Sequence, residues 1–177
     1  MSNQPLDSML CFALYAAGQA MQQTYATLLA PLDLTYPQYL VLKVLWAGDG
    51  ATVGRLCTTL GLETNTLSPL LKRLEQAGLL RRSRDLSDER QVLIHLTPAG
   101  CALQDRAAHV DGCAAAATGL SSDAIMDMTA MLHRLSAQLR SSRAQAQRAA
   151  SATAASGSDT SAAAAPRNPG NPELPMA

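Results

Sequence analysis

The chain has 177 residues, 47% of them apolar and 3% aromatic, so one ordinary domain with a real hydrophobic core is expected, plus extensions. Fourteen basic and fourteen acidic residues balance to zero net charge, which excludes a globally basic protein but not a local basic patch. No stretch approaches the ~18–20 apolar residues of a membrane span, and "MSNQPLDSML" lacks the basic and apolar regions of a signal peptide; no membrane contact and a cytoplasmic location are the expectations.

Asp7 or Ser8 is placed to cap a helix that runs to about Ala30, where Pro31 stops it. Thr35 precedes "YPQYLVLKVLW", with Pro37 in a first helical turn and apolar residues to about Ala47. "AGDG" breaks the chain, Thr52 caps the short helix "VGRLCTTL", and Gly61 ends it. The next helix begins near Thr64–Thr66 and runs to the Gly78 stop, its start left loose by Pro69, which suits only an early turn. "LLRRSR" and "QVLIHL" alternate as short strands around the polar "DLSDER", which predicts a hairpin. Thr97 and Pro98 start a long helix toward Ala117, and Ser121 or Ser122 caps a last one to about Arg148. From residue 149 the chain is Ala, Ser and then Pro-rich, predicting a disordered tail over 149–177.

Helix, tight glycine turn, helix and hairpin is the winged helix-turn-helix plan. The fold class expected is mainly α: a winged helix-turn-helix at about 36–96 with a two-stranded wing, and long N- and C-terminal dimerisation helices at about 8–30 and 98–148. The domain spans 6–148. Met9, Leu10, Phe12, Ala13, Leu14 and Ala17 cover more than one face of the first helix. Burial on several sides is therefore expected, most economically in a homodimer with two-fold symmetry that presents two recognition helices to a pseudo-palindromic site.

Six basic residues, Lys72, Arg73, Arg81, Arg82, Arg84 and Arg90, lie within nineteen positions, diluted by four acidic ones. A solvated charged face is the plain alternative to a DNA surface. Asn65, Thr66 and Ser68 cluster at the start of the second helix of the turn and suit base edges or phosphates. Lys72 and Arg73, one to two turns on, suit phosphates. Arg90 follows the hairpin tip, where a guanidinium reaches a minor groove, and Asp88 is placed to hold it by a charge-assisted bond.

"LSPLLKRLEQAGLLRRSRDLSDERQVLIHLTPAG" resembles the MarR family of winged-helix repressors, in its recognition helix, its wing with the Asp-x-Arg pattern "DER", and the Thr-x-x-Gly start of the following helix. The resemblance extends over about Leu6 to Arg140. It implies a dimer on double-stranded operator DNA, with Asn65–Arg73 as the major-groove reader and Asp88 and Arg90 as the wing pair.

Four cysteines, Cys11, Cys57, Cys101 and Cys113, are too few and scattered for a disulfide framework. None has zinc spacing, and His95, His109 and His133 read as structural or solvated, so neither metal nor cofactor is expected. "LCFALYAAG", with Thr24–Tyr25 and "LTYPQY", resembles the organic hydroperoxide resistance regulators within the MarR family. That likeness implies that Cys11 is a peroxide sensor whose thiolate is stabilised by Tyr15, Tyr25 and Tyr36; Tyr39 reads as a packed aromatic. It further implies resolution by a cysteine of the partner's late helix, with Cys113 at the matching place and Cys101 as the competitor; Cys57 reads as core. Spacing adds one constraint. Tyr15 is a neighbour of Cys11 on the helix, but Tyr25 is ~21 Å further along the axis and reaches Cys11 only across an antiparallel dimer. The expected function is a dimeric repressor, not an enzyme, that releases DNA when an organic hydroperoxide oxidises Cys11. A MarR-type repressor with a non-covalent small ligand, a thiol peroxidase and a helical interaction module that never touches DNA are the alternatives.

Overall fold

A computed structural model describes residues 5–84, 88 and 91–156. Helix α1 (Leu10–Leu29) is followed by α2 (Tyr36–Ala47), strand β1 (Ala51–Thr52), α3 (Val53–Leu60), α4 (Thr64–Gln76), strands β2 (Leu80–Arg84) and β3 (Val92–Leu96), α5 (Pro98–Ala107), α6 (Val110–Ala117) and α7 (Ser122–Ser156). The chain divides into two units, 1–120 and 121–177.

The winged helix-turn-helix is built from α3, α4 and the β2–β3 hairpin. Thr52 caps α3 by accepting the Arg55 amide at 3.1 Å. Gly61 ends α3 with φ +66°, a left-handed conformation in which a glycine has no Cβ penalty. The Leu62 amide returns to the Cys57 carbonyl at 3.0 Å, and α4 starts two residues later. The leucines of α4 that repeat at helical spacing, Leu67, Leu71 and Leu74, are buried against Val41, Leu42, Leu45 and Leu56. Burying such a leucine removes about 1.5–3 kcal/mol worth of apolar exposure per side chain. Leu80 and Ile94 carry the same core under the sheet.

Strands β2 and β3 make the expected antiparallel hairpin, Leu80 opposite Leu96 and Arg84 opposite Val92. A third strand extends it: Ala51 and Thr52 pair with Ile94 and Leu93, giving the order β1-β3-β2. Two residues are too short for a period-2 pattern to register.

Three boundaries differ from those read in the sequence. Helix α1 is capped at Met9 rather than Asp7 or Ser8; residues Leu6–Ser8 form a 3-10 turn, and the Ser8 hydroxyl donates back to the Pro5 carbonyl at 2.8 Å. The single helix expected from Pro98 to Ala117 is two, broken at Ala108–His109. Neither proline nor glycine marks the break; it separates Ala107 and Val110, both buried, and depends on tertiary packing. Helix α7 continues eight residues beyond 148, as alanine's helix propensity allows; the remainder of the expected tail, 157–177, lies outside the described residues.

The start of α5 is locked onto the foot of β2. The Thr97 hydroxyl donates to the Gly78 carbonyl at 2.6 Å and accepts the Gly100 amide at 3.1 Å, and the Trp46 indole donates to the Gly100 carbonyl at 2.9 Å. A Cβ at position 100 would overlap the Leu79 carbonyl oxygen. Gly100→Ala should therefore destabilise the fold by about 2 kcal/mol through forced backbone displacement, read as a lowered midpoint in urea unfolding at unchanged m.

Candidate functional site

Two surfaces stand out, the outer face of α4 with the wing and the junction of α1, α2 and α6. On α4 the buried leucines turn Asn65, Thr66, Lys72 and Arg73 outward, all exposed. Ser68 is half-buried, and its hydroxyl proton is engaged with the Thr64 carbonyl at 2.7 Å, so it remains available as an acceptor. Asn65, Ser68 and Lys72 share one stripe by their spacing of three, four and seven. Arg73 lines a groove with Gln22, Asp33, Tyr36 and Gln38, on the side of α1 and α2. Pro69 lies in the second turn of α4, not the first, so the Asn65 carbonyl lacks its usual amide donor.

The wing carries Arg81, Arg82 and Arg84, all exposed. Arg82 Nε reaches Glu75 Oε2 at 3.1 Å and ties the wing to α4. Asp88 Oδ2 accepts from the Gln91 side chain at 3.1 Å. Arg90 lies outside the described residues, and with it the expected Asp88–Arg90 pair.

Cys11 is exposed in the first turn of α1, where no side chain caps the backbone amides. Such a terminus favours negative charge. Tyr15, one turn on, is 64% exposed and accepts a bond from Gln19 Nε2 at 3.3 Å. Of α1, only Leu29 is buried; Leu10 and Leu14 are open. The burial expected for this helix is therefore absent within the single chain, where α1 packs chiefly along α6 and α2.

Tyr25 and Tyr36 stack with ring centroids 4.4 Å apart, and Tyr39 lies 6.0 Å from Tyr25. Tyr39 is buried, donates to Asp111 Oδ1 at 2.8 Å and packs edge-on against Trp46 at 5.9 Å. Lys43 Nζ binds the other carboxylate oxygen of Asp111 at 2.7 Å. The hydroxyl of Tyr25 faces the same carboxylate. Further along, Ala114 and Ala117 of α6 and its cap Thr118 lie beside Ala17, Ala20, Met21 and Thr24 of α1, so α6 runs back along α1. Cys113, exposed, is thereby level with about residues 21–25. Ten or more helical residues separate that level from Cys11, about 15 Å along the axis. Tyr25, Tyr36 and Asp111, on the helix that carries Cys113, thus lie toward the later end of α1, and Cys11 and Tyr15 lie at the other. Cys101 is exposed in the first turns of α5, and Cys57 is half-buried against the core with its sulfur 3.7 Å from the Thr64 hydroxyl.

A family model described as the transcriptional regulator SarA/Rot matches residues 23–106. The chain is 46% identical over 107 residues to the organic hydroperoxide resistance transcriptional regulator of Bacillus subtilis (strain 168), covering 60% of this chain and 73% of that protein. This chain belongs to the MarR family of winged-helix regulators. It is 54% identical over 103 residues to the HTH-type transcriptional regulator TtmR of Methylorubrum extorquens (strain PA1), covering 58% of this chain; the match spans about half, 53%, of that relative's length. The reduced form of AbfR, a Staphylococcus epidermidis protein, solved bound to DNA, aligns with TM-score 0.64 at 34% identity over 76% of this chain and 93% of that one. Its disulfide form aligns with TM-score 0.54 at 35% identity over 73% and 91%. The MarR-family chain is a DNA-binding transcriptional regulator. Among the described residues no helix is long and apolar enough to cross a membrane.

In this MarR-family protein the charges around Asp111 were not legible in advance. Tyr39 and Asp111 are 72 positions apart, and no spacing rule joins them. Burial, and next the Asp111 charge, push Tyr25 up to about 12. Tyr36 and Tyr39 are raised by burial first and then by Asp111. All three phenols therefore keep their protons at neutral pH. Burial alone would raise Asp111, but the bonds from Lys43 and Tyr39 outweigh it and hold the carboxyl below its ordinary range. At the other end of the domain, burial likewise opposes ionisation of Asp49. Bonds from the Leu96 amide at 2.8 Å and from His95 at 3.0 Å hold that carboxyl low nonetheless, which gives His95 a structural partner.

The folded pKa of Asp111 lies below its ordinary value of 3.8, so its contribution to stability is complete above that pH and is lost as pH falls through the lowered value. Asp111→Asn should flatten the acid limb of a pH series of urea unfolding. For Tyr25 the sign is opposite: its contribution is complete below pH 10 and is lost as pH rises toward about 12.

Proposed function

We propose that this chain is a dimeric repressor that senses organic hydroperoxides through Cys11 and releases its operator when Cys11 is joined to Cys113 of the second subunit. The observation that carries the reading is the separation along α1: from Cys11, Tyr25, which stacks on Tyr36, is about 21 Å along the axis, and the stretch that faces the helix of Cys113 is about 15 Å along it. An antiparallel second copy of α1 brings its Cys11 to that group. The open apolar residues of α1 (Leu10 63%, Leu14 37% exposed) and the separate open run on α7 (Met126, Met131 and Leu139) suit such an interface. The likeness to a Bacillus subtilis regulator of organic hydroperoxide resistance, and to AbfR, a protein solved in reduced and disulfide forms, supports redox sensing.

The chemistry balances in two steps. The Cys11 thiolate attacks the distal peroxide oxygen; the O–O bond breaks, the alkoxide takes a proton, and sulfenic acid and an alcohol result. The Cys113 thiolate then attacks the sulfenic sulfur, the S–O bond breaks, and hydroxide leaves as water once protonated. The hydroxyls of Tyr15, Tyr25 and Tyr36 stabilise the attacking thiolate, Tyr25 by turning its single O–H from Asp111 to the sulfur. Leu10, Phe12, Leu14 and Met21 favour an alkyl substituent on the peroxide. On DNA, Asn65, Thr66 and Ser68 meet base edges, Lys72, Arg73 and Arg84 meet phosphates, and Asp88 and Arg90 form the wing pair.

A second reading, a non-covalent small-molecule inducer, is favoured by a cavity of about 360 Å³ lined by Tyr39, Lys43, Trp46, Gln104 and Asp111. Cys11→Ser separates the two. Anisotropy on operator duplex should show wild type released by cumene hydroperoxide and the serine variant retained; equal release from both would refute the thiol mechanism. For the interface, Lys72→Ala and Arg84→Ala should each lower the slope of log affinity against log salt by about one, across all sequences.

A further inference from the structure

The redox reading leaves open how a bond at Cys113 reaches the winged helix. Helix α6 is short and packs its small residues Ala114 and Ala117, with its cap Thr118, on α1. Toward α2 it makes a different contact. Among the described residues, the side-chain hydrogen bonds joining α6 to α2 are Tyr39 to Asp111 at 2.8 Å and Lys43 to Asp111 at 2.7 Å. Helix α2 in turn supplies Val41, Leu42 and Leu45 to the core that seats Leu67, Leu71 and Leu74 of the recognition helix. Asp111 is two residues from Cys113, on the same eight-residue helix.

We propose that Asp111 is a positioning residue that couples the resolving cysteine to the recognition helix: its carboxylate transmits the displacement of α6 on disulfide formation to α2 through Tyr39 and Lys43. This rests on the thiol reading above. The alanine contact of α6 on α1 resists sliding little, whereas the Asp111 carboxylate, gripped by the Tyr39 phenol and the Lys43 ammonium of α2 and faced by Tyr25 of α1, resists displacement in direction as well as distance. Tyr39 is fixed by its packing on Trp46 and Tyr25, so a pull on Asp111 bears on the centre of α2. The bound, DNA-competent arrangement and the disulfide arrangement are then two states of one element, biased by the sulfur chemistry.

The test uses the full chain and a duplex selected in vitro for binding to the reduced protein. Disulfide formation is followed on non-reducing gels after stoichiometric cumene hydroperoxide, and operator Kd is measured in the reduced and oxidised states. In Asp111→Ala and in Tyr39→Phe, which keeps the ring in place, the disulfide should form to the wild-type extent. The ratio of oxidised to reduced Kd should nevertheless contract at least about fivefold, and the double variant should contract no further than either single one. Full disulfide with a wild-type Kd ratio in both variants overturns the coupling and leaves the sensor reading intact. Additive contraction in the double variant overturns it too, since the residues would then act separately. Absence of a Cys11–Cys113 disulfide in wild type overturns the sensor reading itself. Tyr39→Phe alone carries the test if Asp111→Ala does not fold.

Discussion

The leucine stripe of α4 is the constraint on which the rest of the molecule turns. Leu67, Leu71 and Leu74 are fully removed from solvent between α2 and α3, and no rotation of the helix could keep them so while changing its outer face. The outward set of Asn65, Lys72 and their neighbours follows from that burial. Gly61 fixes the angle of approach, and the Arg82–Glu75 bridge fixes the wing against the same helix. A family identity read from a basic, polar segment is thus the visible side of an apolar packing problem.

The parts proposed for dimerisation and sensing obey a different logic. Helix α1 is apolar on several sides, yet one protomer buries only Leu29 of it. The sequence pattern asked for more cover than a single chain supplies, and that unmet demand is informative about assembly. The same helix separates its chemistry by length: an exposed thiol at its amino end and a stacked tyrosine at its other end.

The elements that could be read from residues were those with local causes. Thr52, Gly61, Thr97–Pro98 and the alternating runs of the wing each act within a few positions, and the helices, turn and hairpin appear where they indicate. What escaped had distant causes. Strand β1 exists because β3 pairs with it, and the break at Ala108–His109 has no breaker residue. Tyr39 reads as a packed aromatic because packing is the commoner role; its bond to Asp111 depends on two helices meeting. Cys11, Cys113, Tyr25 and Tyr36 were marked by likeness to a family, and the fold adds which of them share an end of α1.

The offset of about 15 Å between Cys11 and Cys113 along one chain has a genetic consequence. In the proposed dimer a disulfide uniting these positions belongs to two polypeptides at once, and a symmetric pair holds two such sites. A polypeptide without the first sulfur and a polypeptide without the second, assembled together, still own one whole site between them. Under that proposal two alleles that are each inert alone complement when co-expressed, a behaviour unavailable to a thiol pair contained in a single chain.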